Sequence, residues 1–163
     1  MDGSSVRSGQ KDFDFLLDRE CKRALRTQTP ISMFLIDVDF FKEYEAHEGQ
    51  AACINCLHLV GEVLRICVKR DLDFIANNEM HNFVCLLPDT DADGARRICK
   101  LIQEKVAQLN IPHPCSPIAD HVTLIIGAAT VKPTFKLNQD QLVHQAEISL
   151  EEARNYAHNM VRR

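Results

Sequence analysis

Two small groups of charged residues carry most of the chemistry that this sequence offers. Asp37 and Asp39 close an apolar run that begins at Ile31, and Arg70 and Asp73 stand three positions apart further on. Carboxylates at a strand end are candidates for a functional site, and arginine offers a planar fork that pairs bidentately and a face that stacks. Each group also has a simpler interpretation: Asp37 as an ordinary strand-end carboxylate, and Arg70 as a solvated helix end that complements the helix dipole.

The seven cysteines predict free thiols rather than a disulfide framework. Their number is odd, and most lie within apolar periodic patterns, where cysteine behaves as a small hydrophobic residue. Cys53 and Cys56, with His58 close by, have the spacing of a metal site, but no second pair accompanies them. Buried positions on a helix are therefore the favoured interpretation, and we expect no structural metal.

The size and charge of the chain fit one globular domain spanning residues 1–163. With 45% hydrophobic residues, 26% charged residues and a formal net charge of -4, the composition gives no general attraction to nucleic acid or to an anionic membrane. No apolar run is long enough to cross a bilayer, and the N-terminus lacks the apolar segment of a signal peptide. We predict a cytoplasmic protein with no nucleic-acid partner and no membrane segment.

Hydrophobic periodicity predicts the elements that position the charged groups. An apolar stripe at helical spacing predicts a helix from Asp12 to about Thr27, and the continuous run from Ile31 to Val38 predicts a strand covered on both faces. A helical stretch that starts near Phe40 is interrupted near Gly49 and resumes from Ala51 to Lys69. Asp37 and Asp39 thus lie where a strand gives way to a helix.

The order of the remaining elements favours a particular fold class. Two apolar runs, Phe74 to Ala76 and Phe83 to Leu87, predict a hairpin whose reversal contains no glycine. A helix, an irregular segment with three prolines, a strand and a final helix follow. A hairpin within such a mixed series favours an α+β fold, with a mainly antiparallel central sheet flanked by helices, over a doubly wound parallel sheet. We expect the first predicted strand to be central because it is the most continuously apolar.

Four segments resemble motifs of one known family. They are "LIDVDFFKEY" (Leu35 to Tyr44), "LLPDTD" (Leu86 to Asp91), "VTLIIGAA" (Val122 to Ala129) and, in a worn form, "DGSSVRSGQKDFD" near the N-terminus. With the order of elements, they make the chain similar to the GGDEF family, the diguanylate cyclases that condense two GTP molecules into the bacterial second messenger cyclic di-GMP. The resemblance implies the palm-like fold shared with nucleotidyl cyclases, and residues 1–11 as a degraded form of the family's opening motif.

The resemblance places the family's signature pentapeptide at Glu79-Met80-His81-Asn82-Phe83, in which only Phe83 is retained. The family's metal oxygens would then come from Asp37, the carbonyl of Val38 and position 81. Hard Mg²⁺ prefers oxygen ligands, whereas His81 offers only nitrogen. We therefore expect no cofactor and poor binding of Mg²⁺.

Other positions of the implied active site are partly retained. Lys42 matches its family position, and the two basic positions of the last helix fall on Arg154 and His158. Asp37, Lys42, His81 and Arg154 form what we interpret as a vestigial active site. Because several ligand and nucleotide contacts are replaced at once, we predict that the chain has lost diguanylate cyclase activity and is not an enzyme.

A second family site is better preserved. The family often carries R-x-x-D six residues before the signature, where arginine pairs with and stacks on a guanine of cyclic di-GMP and aspartate pairs with its edge; here the same offset gives Arg70 and Asp73. The resemblance also implies a contribution from Arg23, reaching from a neighbouring protomer. Arg97 lies about one turn from a further family arginine.

These observations lead to three hypotheses. The first is a catalytically silent signalling domain that acts as a cyclic di-GMP receptor through the R-x-x-D site. The second is a ligand-free interaction module of a larger signalling protein, which forms a homodimer or contacts a partner domain. The third is an enzyme of altered chemistry in which His81, His47 or His58 joins Asp37 in a new metal site.

Overall fold

The computed structural model describes most of the chain and contains the predicted elements in the predicted order, with a short additional strand at the start. The described residues are 6–8, 10–70, 72–77, 80–132, 134 and 139–161. The elements are β1 (Val6–Ser8), α1 (Gln10–Thr27), β2 (Ile31–Val38), α2 (Phe41–Glu48), α3 (Gln50–Cys67), β3 (Phe74–Asn77), β4 (Phe83–Pro88), α4 (Ala92–Leu109), β5 (Leu124–Val131) and α5 (Gln139–Val161).

The strands form one sheet in the order β1-β3-β4-β2-β5. Strand β2 is antiparallel to both of its neighbours, β4 and β5, and β3 and β4 form the predicted hairpin. The predicted α+β fold with a mainly antiparallel sheet is therefore confirmed, and β2 lies in its interior. Strand β1 pairs in parallel with β3 and was not predicted, because three residues are too few to show a period.

Both faces of β2 are covered by helices, as its continuous apolar sequence predicts. Phe34 and Ile36 face a core shared with α2, α3 and α4, whereas Met33 and Leu35 face a core shared with α1 and α5. Because both faces are buried, the C-terminal end of β2 is the point where its carboxylates emerge beside the flanking helices. The fold thereby fixes the position of Asp37.

The predicted helix interruption lies at Gly49. This residue separates α2 from α3 and has a φ of 91°, a conformation that glycine adopts without steric cost. Cys53 and Cys56 of α3 are buried in the core, and burial raises the pKa of the Cys56 thiol to about 11. His58 is exposed and pairs with Glu62, so it does not join the two thiols in one cluster.

Two further sequence predictions concern the opening segment and the absence of a membrane-spanning segment. Of the opening segment, residues 1–11, positions 1–5 and 9 lie outside the described residues, whereas positions 6–8 form β1 and Gln10 begins α1. Within the described residues, we find no helix with the length and apolar character needed to cross a bilayer.

Candidate functional site

The C-terminal end of β2 meets the β3–β4 reversal and α5 around the carboxylate of Asp37. Its Oδ1 accepts a hydrogen bond of 3.1 Å from the backbone N–H of Asn82. Its Oδ2 lies 2.9 Å from Nη2 of Arg154 and 3.4 Å from Nδ1 of His81. Three of the four residues predicted for the family-like active site, namely Asp37, His81 and Arg154, are thus brought together.

Asn82 ties the glycine-free reversal to β2 through two reciprocal hydrogen bonds. Besides donating its backbone N–H to Asp37, it accepts the backbone N–H of Val38 on its side-chain oxygen at 2.7 Å. The sequence alone gave no signal for this role, because the two partners lie 44 and 45 positions away. The signature Glu79 that precedes this turn lies outside the described residues.

A second contact with α5 involves Asp39, which directly follows β2 and is 3% exposed. Its Oδ1 accepts the backbone N–H of Phe40 at 3.1 Å and lies 2.9 Å from Nε2 of His158. The ring of His158 also stacks on Phe40, with a centroid distance of 4.6 Å. Lys42, in the first turn of α2, is exposed to solvent.

Arg70 of the predicted R-x-x-D pair lines a separate, open cavity of about 610 Å³. This volume lies within the roughly 300–1,000 Å³ typical of ligand pockets. Arg70, Asp89, Thr90 and Arg97 line it together with apolar side chains that include Leu101. We call it the Arg70 cavity. Arg70 and Arg97, predicted from sequence to serve one ligand, therefore share one cavity.

The guanidinium of Arg70 is held by the turn between β4 and α4. Its Nη2 donates to the carbonyl oxygen of Pro88 at 2.6 Å and to the hydroxyl of Thr90. Its Nη1 lies 3.5 Å from the carbonyl oxygen of Asp89. These contacts fix the direction of the guanidinium while 51% of the side chain remains exposed, so a ligand can still reach it.

Asp73 contacts Arg70 on the side that faces the protein interior. Its Oδ2 accepts the backbone N–H of Arg70 at 3.2 Å, and its Oδ1 lies 3.5 Å from Arg70 Nη2. The Asp73 side chain is only 2% exposed. Burial raises the pKa of this carboxyl, against the opposing effect of Arg70. The structure therefore places Asp73 beneath Arg70.

Arg23 reaches the same region from α1 of the same chain. Its Nη2 lies 3.2 Å from Oδ2 of Asp89, and its Nη1 lies 3.6 Å from Oε1 of Glu20. Asp89 consequently lies between two arginines, Arg23 through its carboxylate and Arg70 through its carbonyl oxygen. The four residues predicted for ligand binding are thus all found at or beside the Arg70 cavity.

Residues 8–160 match the family model described as "Diguanylate cyclase, GGDEF domain". The chain belongs to the GGDEF family. The recognition made from four short segments is therefore confirmed over nearly the whole chain.

Curated relatives of this GGDEF domain are considerably longer proteins. A probable diguanylate cyclase of Escherichia coli, DgcT, is 26% identical over 147 residues, which cover 90% of this chain and 32% of the relative. Diguanylate cyclase A of Treponema denticola is 28% identical over 132 residues, covering 80% of this chain and 34% of the relative. The chain thus spans about a third of the length of these relatives.

Solved structures agree on the fold of the GGDEF domain. The coiled-coil and GGDEF domain of DgcB from Caulobacter crescentus superposes with a TM-score of 0.80 at 21% identity, covering 95% of this chain and 80% of that one. The GGEEF domain of a Vibrio cholerae diguanylate cyclase gives a TM-score of 0.78 at 18% identity, with coverages of 93% and 92%.

The prediction that this chain is not an enzyme is wrong by these comparisons. It rested on the replaced signature and on His81 at the position of an oxygen ligand. The matching family and both curated relatives carry the name diguanylate cyclase, which points to an enzyme. A few replaced side chains are local evidence, and they do not outweigh a match that extends over residues 8–160.

The donor set around Asp37 does not fit a Mg²⁺ ion in the arrangement described. The guanidinium of Arg154 already balances the carboxylate charge, and His81 contributes a nitrogen where a hard cation prefers oxygen. In the part of the chain that the structure describes, no group of three or more His, Cys, Asp or Glu side chains is arranged to hold a metal ion. A cation at Asp37 would have to displace Arg154.

Asp37 makes the stability of the GGDEF domain vary with pH in the acid range. Burial acts to raise the pKa of this carboxyl, but the hydrogen bonds from His81 and the N–H of Asn82, together with the charges of His81 and Arg154, lower it overall. A carboxyl whose pKa is lowered on folding stabilises the folded state above its unfolded pKa of about 3.9, and that contribution is lost as the pH falls through the folded value.

We therefore expect Asp37→Asn to lower the free energy of unfolding by about 1–3 kcal/mol at pH 7, because Arg154 loses a partly buried partner. The deficit relative to wild type should shrink as the pH falls from about 5 to about 3. Urea unfolding followed by circular dichroism across this range measures it. Asp93→Asn, which breaks an exposed pair with Arg96, is the matched control. An equal deficit at pH 3 and pH 7 would contradict the assignment.

Proposed function

We propose that this GGDEF domain binds cyclic di-GMP in the Arg70 cavity and thereby acts as a receptor for it. The proposal rests on one observation above all: Arg70 and Arg97 line the same open cavity, and Arg23 lies one ion pair away. Two guanidinium groups in one cavity, with a third beside it, suit a dinucleotide that presents both guanine acceptors and two anionic phosphodiesters.

The geometry of Arg70 supports a guanine contact. Arginine stacks on guanine through its flat face and donates N–H groups to guanine acceptors. The Nη2 hydrogens of Arg70 are engaged by Pro88 and Thr90, so the exposed face of the guanidinium is what a base would meet. Pro88 and Thr90 hold the guanidinium in one orientation, which reduces the entropy that a ligand would otherwise cost on binding. The structure of the DgcB coiled-coil and GGDEF domain was determined in complex with cyclic di-GMP, which lends further support.

Isothermal titration of the purified domain with cyclic di-GMP tests this proposal. We expect saturable binding that Arg70→Ala weakens about 100-fold, equivalent to about 2.7 kcal/mol, because charge-assisted hydrogen bonds to the base are lost. Arg96→Ala is the matched control, since Arg96 lies on α4 outside the cavity and pairs with the exposed Asp93. Thermal unfolding of each variant establishes that it is folded.

A titration without heat at high ligand concentration, or equal affinity of Arg70→Ala and Arg96→Ala, would reject the receptor proposal. A stable dimer formed without ligand, together with a null titration, would instead support the interaction module. Size-exclusion chromatography with light scattering distinguishes the monomer from the dimer.

A second candidate function is the condensation of GTP to cyclic di-GMP, which is favoured by the names of the curated relatives. Incubation with GTP in the presence of Mg²⁺ or Mn²⁺, followed by chromatographic detection of the product, tests it directly. Product that is formed by wild type and lost in Asp37→Asn would support this function. Absence of product under both metals would reject it and would leave the binding proposal standing.

A further inference from the structure

We infer that a second cavity, between α1 and α5, is a binding site for a hydrophobic organic cation. This cavity has a volume of about 810 Å³ and is lined by residues of α1, α5, β2, β4 and the β3–β4 reversal. Its volume lies within the range typical of ligand pockets, and the described residues that line it are all different from those of the Arg70 cavity. We call it the α1–α5 cavity, and the inference is independent of cyclic di-GMP binding.

The floor of the α1–α5 cavity is apolar. It is formed by residues that belong to, or pack against, the core that β2 shares with α1 and α5, namely Phe13, Leu17, Met33, Leu35, Val84 and Val143. Pockets for small molecules bury the body of the ligand against such side chains and fix its orientation with a few polar groups. A ligand of this cavity therefore needs a hydrophobic body.

The rim of the α1–α5 cavity is acidic. Asp140 and Glu147 line it from α5, where they lie two turns apart on one face of the helix, and Asp14 lines it from α1. Within the described part of the chain, Asp140 and Glu147 form no ion pair, and no lysine or arginine is among the lining residues. Carboxylates at the mouth of a cavity attract a cation and repel an anion, so the charged group of the ligand should be positive.

The α1–α5 cavity adjoins the Asp37 cluster through one residue. His81 lines the cavity, and its Nδ1 lies 3.4 Å from Oδ2 of Asp37. A bound cation would therefore contact one of the side chains that hold Asp37. A bare metal ion does not fit the cavity, because its floor offers no ligand oxygen and a hard cation prefers a cage of oxygens.

Three probes that share one hydrophobic body and differ in charge test the inference. They are phenylbutylamine, a cation; phenylbutanol, which is neutral; and phenylbutanoate, an anion. Titrations of the isotope-labelled domain are followed by the amide chemical shifts in NMR spectra, which both measure weak binding and locate it. We expect the amine to bind at least about 10-fold more tightly than the alcohol, and the anion more weakly than either. The shifts should change at Val84 and Val143, and not at Ile98 of the Arg70 cavity.

Variants separate the contributions of the rim and the floor. The double variant Asp140→Asn/Glu147→Gln removes two charges from exposed positions and should weaken the amine about 10-fold without changing the affinity for the alcohol. Glu152→Gln is the matched control, since Glu152 is an exposed residue of α5 outside the lining. Val143→Phe, which places a ring in the floor, should weaken the amine and the alcohol alike. Thermal unfolding establishes that each variant is folded.

Several outcomes would overturn the inference. Equal affinity for the amine and the alcohol, or equal effects of Glu152→Gln and the double variant, would exclude selection by the acidic rim. Spectra unchanged by any probe at millimolar concentration, or changed only away from the cavity, would exclude the site. If Val143→Phe does not fold, the double variant and its control still decide the question. The receptor proposal is tested by its own titration and stands or falls separately.

Discussion

Replacement of Gly127 by alanine is expected to destabilise this domain strongly. Gly127 lies in β5 directly beneath α5, and a Cβ atom built there would lie 2.5 Å from the backbone nitrogen and the Cβ of Leu150, and closer still to the carbonyl oxygen of Ala146. Two of these atoms belong to the helix backbone, so a change of rotamer cannot relieve the clash. The whole helix would have to move away from the sheet.

Such a movement would open the core that α5 shares with α1 and β2. Ala146 is 0% exposed and Leu150 is 3% exposed, so both would lose their contacts together. Overpacking costs about 1–3 kcal/mol where side chains can adjust, and we expect at least about 3 kcal/mol here. That is a large part of the roughly 5–15 kcal/mol by which a domain is stable.

Urea unfolding followed by circular dichroism measures this loss, with Gly61→Ala as the control. Gly61 is also buried, but a Cβ there meets only ring atoms of Phe83, the nearest at 3.6 Å, which is an ordinary contact distance. Because Gly61 lies within α3, alanine should stabilise the domain by up to about 1 kcal/mol. Equal unfolding midpoints for the two variants would contradict the packing described at β5.

Substitution of His113 by leucine is expected to lower the free energy of unfolding by about 2–3 kcal/mol. The His113 side chain is 0% exposed, and its Nε2 lies 3.2 Å from the carbonyl oxygens of both Asp39 and Phe40. Since both partners are acceptors, Nε2 carries the hydrogen and donates to the loop between β2 and α2. Leucine would leave buried carbonyl oxygens without this donor.

The loop that His113 supports contains a residue in the left-handed backbone region. Phe40 has a φ of 54°, which non-glycine residues adopt at a cost unless their surroundings hold them there. Tyr44 packs edge-on against the His113 ring at a centroid distance of 5.1 Å, so the ring also fills space in the core. We expect His113 to be the main support for the left-handed residue.

Chemical unfolding of three variants tests this role. His113→Gln keeps an N–H donor and should recover part of the loss that His113→Leu causes. His58→Leu replaces an exposed histidine of α3 and should change stability by no more than about 0.5 kcal/mol. If His113→Leu and His58→Leu unfold at the same urea concentration, the supporting role is excluded.

The fold could be predicted from sequence because its strongest signals are local. The continuous apolar run of β2 and the helical stripes of α3 and α4 each show their burial within fewer than twenty residues. The proximity of Arg70 and Asp73 was likewise visible from their spacing. The direction in which Asp73 faces was not, since it depends on the turn between β4 and α4, which binds Arg70 from 18 to 20 positions away.

The remaining features depend on contacts between distant parts of the chain. His113 lies in a segment with three prolines that predicts only irregular structure, yet its partners Asp39 and Phe40 are more than 70 positions away. The pairing of Asp39 with His158 spans 119 positions. One sequence without local periodicity at these sites offers no signal for either contact.

The contacts between α5 and the end of β2 affect how readily the last helix opens locally. Arg154 and His158 lie one helical turn apart and bind Asp37 and Asp39 respectively. Two successive turns of the helix are therefore held at the C-terminal end of β2. The ends of helices ordinarily fray and exchange their amide hydrogens within a short time. Here the backbone amides between Arg154 and His158 should exchange with deuterium almost as slowly as those at the middle of the helix. Local opening of this end of the helix should require that both residues release their carboxylate partners together.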